Sequence, residues 1–295
     1  KDDDLVIINE LMVTSMLFSD ATSTPAKALK KEANRRRKLW DEDSPDKNKA
    51  GNRLVIIGYD GDKKYENVPS YIPGDTIKKV NGKTMTLIEF FVHSPFKDSL
   101  VEGRAESDKN VTSIVMQVRF KKSSSDTKPS ALYLFGGDAD HYIWEEIQNQ
   151  SSAHNNGGKL DFDIFLAPHH CSWTYFNDVP YKKGETDEPV ESSKKLIKDH
   201  KVSGAVIIAS SKQINDDDDN PPHYPAKKEY VKLIGSSDKF ISLAEEPDSK
   251  NSKPVVYEVT SSGFLRKDKN QQTGSAGAAI GSSGTSGRKS TYGSK

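Results

Sequence analysis

Across 295 residues the chain balances 43 Lys and Arg against 43 Asp and Glu, so no overall basic field draws nucleic acid to it. At 34% hydrophobic and 29% charged residues it supports one modest core joined by polar loops, and its single cysteine excludes an internal disulfide framework and fits a reducing, cytoplasmic compartment. No apolar run reaches the length that crosses a bilayer, and no signal-peptide pattern is read.

In chain order, Leu5 to Val13 is an apolar-rich opening suited to a helix or a strand. Thr24-Pro25 offers a cap and a first-turn proline, and Ala26, Ala28, Leu29, Ala33 and Leu39 form a partial stripe, which predicts a helix over Thr24 to Trp40. Its cluster Lys30-Lys31 and Arg35 to Lys38 reads as a solvated face, or as a lure for a polyanion if it borders a phosphodiesterase cleft. Strands are predicted over Arg53 to Gly58 and Met85 to Val92 from their β-branched and aromatic content, the second ending at His93-Ser94-Pro95.

The most informative stretch follows. Ala131 to Phe135 is an unbroken apolar run halted by Gly136-Gly137 and ending on Asp138; Phe162 to Leu166 is a second, halted by Pro168 and ending on His169-His170. Between them Tyr142 to Ile147 has helical spacing with acidic residues at its start, so the unit reads strand, helix, strand. Two buried strands that deliver a carboxylate and paired imidazoles to one rim point to a divalent metal and to hydrolysis by metal-activated water. Alone, each motif has a plainer reading, Gly-Asp as a turn or helix cap and the histidines as packed groups.

Further on, a helix is predicted at Glu191 to His200 and a last edge strand at Val255 to Thr260. The run Asp216 to Asp219 lacks the alternating ligands and mid-loop glycine of a calcium loop and reads as solvated. From about residue 266 to 295 the composition turns Gly/Ser/Thr-rich, which predicts a disordered tail after a domain spanning 1–265.

The motifs Asn110-Val111-Thr112-Ser113, Leu134-Phe135-Gly136-Gly137-Asp138, Ala167-Pro168-His169-His170-Cys171-Ser172, the strand Ala205 to Ala209 and Asn220-Pro221-Pro222-His223, in that order, resemble the C-terminal half of a metallo-β-lactamase-fold hydrolase. The competence-protein (ComEC-like) branch, with its N-x-x-S, TGD, HHGS and HP elements, is the most similar. The resemblance covers about residues 85 to 245. It implies an α/β (α+β) chain forming half of a four-layer αββα sandwich, a site for zinc, as two ions in the complete protein, and action on a phosphodiester such as nucleic acid. It also implies Asp138, His169 and His170 as metal ligands, His93 as a further candidate, and His223 beside the scissile group. The branch has Gly where this chain has Cys171, and the HxHxDH motif that supplies most ligands is absent, with no His before His93. A missing N-terminal half is therefore the expected partner, and this polypeptide alone is expected to be inactive. The competing expectation is a non-catalytic interaction module, or a split subunit that needs a partner half.

Overall fold

The computed structural model describes residues 7–19, 23–58, 65–97, 109–179, 181 and 188–267. Leu11 and Val13 alternate with Met12 along β1 (Glu10–Thr14), and Leu54 and Ile56 alternate with Val55 and Ile57 along β2 (Arg53–Ile57). This period of two gives each strand two apolar faces. The strands pair in parallel, and β3 (Ser70–Tyr71) completes a three-stranded sheet. Leu11, Val13, Leu54 and Ile56 pack beneath α1 (Met16–Ser19) and α2 (Thr24–Asp41) with Phe18 and Ala33. Ser23 caps α2 through Ala26 N–H at 3.3 Å, with Pro25 in the first turn.

Met12, Val55 and Ile57 turn the other way, onto Ile77 of β4 (Thr76–Ile77), Phe90 and Val92 of β7 (Ile88–Ser94) and Met116 of β8 (Val115–Phe120). The short hairpin β5 (Lys79–Val80) and β6 (Lys83–Thr84) lies between β4 and β7 in sequence, and Val80 joins this layer. The small sheet thus meets a larger one of seven strands in the order β12-β11-β10-β9-β8-β7-β4.

β9 (Ala131–Phe135), β10 (Phe162–Leu166), β11 (Lys201–Ala209) and β12 (Phe240–Ser242) run parallel, and β8, β7 and β4 continue the sheet antiparallel. The parallel strands alternate with α3 (His141–Ala153), α4 (Glu191–His200) and α5 (Tyr224–Ile234), all of which feed the main core. There Trp144 meets Phe165 edge-on at 5.4 Å, and Tyr175 stacks on Tyr230 at 5.4 Å. A register shift between Phe162 and Ile164 lets Phe162 and Phe165 enter one core while Ile164 enters the other.

That other face, with Ile164, Ile208 and Ile241, is covered by Tyr257 and Phe264 of a hairpin formed by β13 (Tyr257–Thr260) and β14 (Gly263–Arg266). The predicted last edge strand is therefore one arm of a separate two-stranded hairpin: Val255 and Tyr257 pack onto the sheet's face, while β12, absent from the sequence reading, takes the edge. The chain is mixed α/β, with one large mixed sheet and helices packed on it. None of the described helices is long and apolar enough to cross a membrane. The tail predicted from about residue 266 begins later than expected: Arg266 ends β14 opposite Tyr257 and Lys267 N–H donates to Val256 O at 2.9 Å, while residues 268–295 lie outside the described residues.

Candidate metal-binding rim

Three consecutive parallel strands end at one rim, as α/β sheets present their functional loops: β9 ends before Asp138, β10 before His169-His170, and β11 before Ser210. Close backbone approach makes this possible. A Cβ on Gly136 would lie 2.7 Å from Pro168 Cγ and 2.9 Å from Leu166 O, and one on Gly137, where φ is +53°, would lie 2.9 Å from Ile114 O. The chain turns there, and Asp138 N–H donates to Ser113 Oγ at 3.2 Å. Ser113 is in turn held by Ser94, whose hydroxyl donates to its carbonyl at 2.6 Å.

After Pro168 the backbone takes three left-handed residues in succession, with φ of 47° at His169, 55° at His170 and 69° at Cys171. Such a run is costly for residues with a Cβ, so it needs bracing. Four contacts supply it. Ala167 N–H donates to Ile208 O (2.8 Å), His169 N–H to Gly137 O (2.9 Å) and His223 N–H to Cys171 O (3.0 Å), while Ser172 Oγ donates to Asn220 Oδ1 (2.8 Å). Cys171, which stands where the resembled motif has glycine, is fully buried, and burial pushes its thiol up to about 12.

The turn brings one imidazole to the carboxylate. His170 Nε2 lies 4.0 Å from Asp138 Oδ1, and both side chains are about half exposed. His170 Nδ1 lies 2.6 Å from the carbonyl oxygen of Ser210, an acceptor only, so in the neutral ring Nδ1 carries the proton and Nε2 keeps its lone pair toward Asp138. His169 turns to a different partner, with Nδ1 3.3 Å from Thr174 Oγ1.

The remaining two sequence candidates are held elsewhere. His93 is buried on the helix side of β7, edge-on to Phe91 at 4.9 Å, with Nε2 2.8 Å from Lys159 O. It lines a separate crevice of about 740 Å³ with Tyr142 and Gln150 of α3, and burial lowers its pKa to about 4. His223 is the buried residue before α5, its ring set against Trp173 (5.8 Å) and Tyr181 (5.2 Å) and its Nδ1 without a hydrogen bond. Its position braces the Cys171 turn through the backbone, and burial lowers its pKa.

Two groups escaped the sequence reading. The Ser210 carbonyl is a backbone group and leaves no residue-type signal. His141, at the start of α3, is buried with neither ring nitrogen hydrogen-bonded, and its nearest carboxylate is Asp178 at 3.8 Å; the Tyr142 hydroxyl donates to Asp178 at 2.6 Å and holds that carboxyl below its ordinary range.

The nitrogen and oxygen donors of His170 and Asp138 suit a zinc-like ion. Among the described residues no three His, Cys, Asp or Glu side chains form a group able to hold a metal. No protein-family model, curated protein or solved structure matches the chain.

Proposed function

We propose that this chain carries the carboxylate-and-imidazole part of a metal-dependent hydrolase centre of the metallo-β-lactamase type, acting on a phosphodiester. The observation that carries the reading is the Asp138–His170 pair, 4.0 Å apart at adjacent strand ends, with the imidazole's far nitrogen tied to Ser210 O. A carbonyl behind the imidazole orients the ring and raises its basicity as a ligand. The layering adds support for the sandwich type but departs from the expected half: α2, the three-stranded sheet, the seven-stranded sheet and the α3–α5 helices, linked by shared apolar clusters, all belong to this chain. The single buried thiol suits a reducing compartment such as the cytoplasm.

In this reading Asp138 and His170 hold the ion, and His169 lies beside them. The remaining ligands come from a partner segment, because one carboxylate and one imidazole leave a hydrolytic zinc ion short of its usual three protein donors. A bound ion lowers the pKa of its water to near neutrality and polarises a phosphoryl oxygen. The chain's own contribution is to fix the donors: Ser113 holds the Asp138 backbone, Ser210 sets the His170 tautomer, and His223 and Asn220 keep the strained turn in place.

Competition titration with zinc tests this on the wild type and on Asp138→Ala, His170→Ala and His93→Gln. The first two should weaken binding by at least about ten-fold, since even outer partners of a metal site are worth that much. His93→Gln should leave it unchanged. Equal zinc affinity in all four proteins would overturn the proposal.

A further inference from the structure

The two imidazoles of the rim are held by different means. His170 is tied to a backbone carbonyl, which can only accept, whereas His169 Nδ1 lies 3.3 Å from the Thr174 hydroxyl, a group that can donate or accept. A chain of hydrogen bonds behind Thr174 leaves only one direction open.

The chain is anchored at the Asn220 amide. Trp173 N–H, which can only donate, lies 3.2 Å from one of its two terminal atoms, so that atom is the oxygen, Oδ1. Ser172 Oγ lies 2.8 Å from the same oxygen and therefore spends its single proton there. Both lone pairs of Ser172 Oγ are taken by Thr174: its N–H donates at 3.2 Å, and its hydroxyl, at 3.0 Å, must donate as well because Ser172 has no second proton to give. Ser172 is buried, so water does not compete for these bonds. Thr174 Oγ1 is left with no proton for His169 and accepts one from it. The neutral His169 ring thus carries its proton on Nδ1 and keeps the lone pair on Nε2. His170 reaches the same tautomer through Ser210 O, so two adjacent imidazoles, their centroids 6.4 Å apart, are both fixed as Nε2 acceptors.

We infer that Asn220, Ser172 and Thr174 are positioning residues, whose directed hydrogen bonds hold the His169 Nε2 lone pair available to a divalent cation, so that the rim offers two imidazole nitrogens and not one. An acceptor behind the ring is what orients a metal-ligating histidine and raises its basicity. A purely structural role, capping the turn Trp173–Tyr175, is met by Ser172 and Asn220 alone and leaves the Thr174 hydroxyl without a task. The inference rests on the hydrolase reading only in naming the cation; the tautomer itself needs no metal.

The test is nitrogen NMR of the histidine side chains in EDTA, at a pH where the rings are neutral, with signals assigned from His169→Ala and His170→Ala. Both rings should carry the proton on Nδ1. Thr174→Val keeps the side-chain shape without the hydroxyl and should release His169 from that form while leaving His170 in it; Thr174→Ser should restore the wild-type pattern. In zinc competition titrations Thr174→Val should weaken binding about ten-fold, and Thr174→Ser should match the wild type. An Nε2-protonated His169 in the wild type, a Thr174→Val protein with the wild-type tautomer or the wild-type zinc affinity, or equal zinc loss in the valine and serine variants would overturn the inference. Should melting show Thr174→Val unfolded, Ser172→Ala decides in its place: it frees the Thr174 proton to turn toward Nδ1, and the same loss of the fixed tautomer and of zinc affinity is expected. A wild type that binds no zinc yet keeps both Nδ1 protons would sink the hydrolase reading and uphold the tautomer lock, whereas zinc binding that depends on Asp138 and His170 but ignores Thr174 would do the opposite.

Discussion

Ser113 Oγ accepts the backbone N–H of Asp138 at 3.2 Å, and the preceding residue, Gly137, leaves no room for a side chain beside the Ile114 carbonyl. The carboxylate is thus aimed by backbone packing, with β8's entry loop as its backstop. Gly137→Ala places a Cβ 2.9 Å from Ile114 O and 3.2 Å from Ser113 Cβ at a left-handed φ. The left-handed conformation and the overlap together should cost about 2–3 kcal/mol, read as a shifted urea midpoint. Zinc affinity should fall with it, because Asp138 is displaced. A loss under about 0.5 kcal/mol would mean that the contact relaxes freely.

Cys171 tests the strained turn. It is fully buried at φ 69°, a conformation in which glycine carries no penalty. Cys171→Ala removes sulfur packing and keeps the strain; Cys171→Gly removes the packing and relieves it. The glycine variant should therefore be the more stable of the two by about 1 kcal/mol in chemical denaturation. The reverse order would show that the turn is not strained by its side chain. The wild-type thiol, pushed up to about 12 and enclosed, should resist alkylation at pH 8 until the protein unfolds.

Much of this was legible in the sequence because local signals and tertiary packing agreed. Ala131–Phe135, Phe162–Leu166 and Glu191–His200 form as their residue patterns predict, and the helix read from Thr24 begins there and runs one residue past Trp40, to Asp41. β12, with only three residues, is too short to show a period, and its place at the edge depends on pairing with β11. Leu5 to Val13 left helix and strand open, and only pairing with Arg53–Ile57 across forty residues decides for a strand. At the rim, residue type pointed to Asp138, His169 and His170 alike, and only the fold sets His170 within 4.0 Å of Asp138 while turning His169 to Thr174. Residue type also gave no way to see that His93 alternates onto the opposite face of its strand, or that a backbone carbonyl at Ser210 orients the imidazole.

His93 makes stability depend on pH in a defined direction. Burial lowers its pKa from 6.5 to about 4, so the fold holds it neutral while the unfolded chain binds a proton below 6.5. The stabilisation is therefore complete above pH 6.5 and is lost as the pH falls toward 4, by about 3 kcal/mol across that window. His223, lowered in the same sense, adds to the slope. His93→Gln, which can still donate to Lys159 O, should flatten the wild-type curve of unfolding free energy between pH 6.5 and 4. Parallel curves for the two proteins would remove His93 as the cause.

Arg36 separates the basic cluster of α2 into an anchor and a surface. The sequence reading placed Arg35 to Lys38 together on a solvated face, yet Arg36 is buried, donating from Nε to Glu32 (2.8 Å), from Nη1 to Arg53 O (3.0 Å) and from Nη2 to Ile8 O (2.9 Å). One guanidinium thereby ties the helix to β2 and to the residues preceding β1. A lysine, with a single compact ammonium, cannot span three divergent acceptors. Arg36→Lys should cost about 1–2 kcal/mol and Arg36→Met about 2–4 kcal/mol, since the latter strands the Arg53 and Ile8 carbonyls, while Glu32 keeps its bonds to Arg35. Arg35 makes four hydrogen bonds, one more than Arg36, from an exposed position: two to Glu32 and one each to Asn52 and Gly51 O. Solvent and salt screen those contacts, so Arg35→Met should cost less than about 1 kcal/mol. Urea denaturation of the three variants decides the matter: similar losses at positions 35 and 36 would show that burial of the Arg36 fork contributes nothing beyond its contacts.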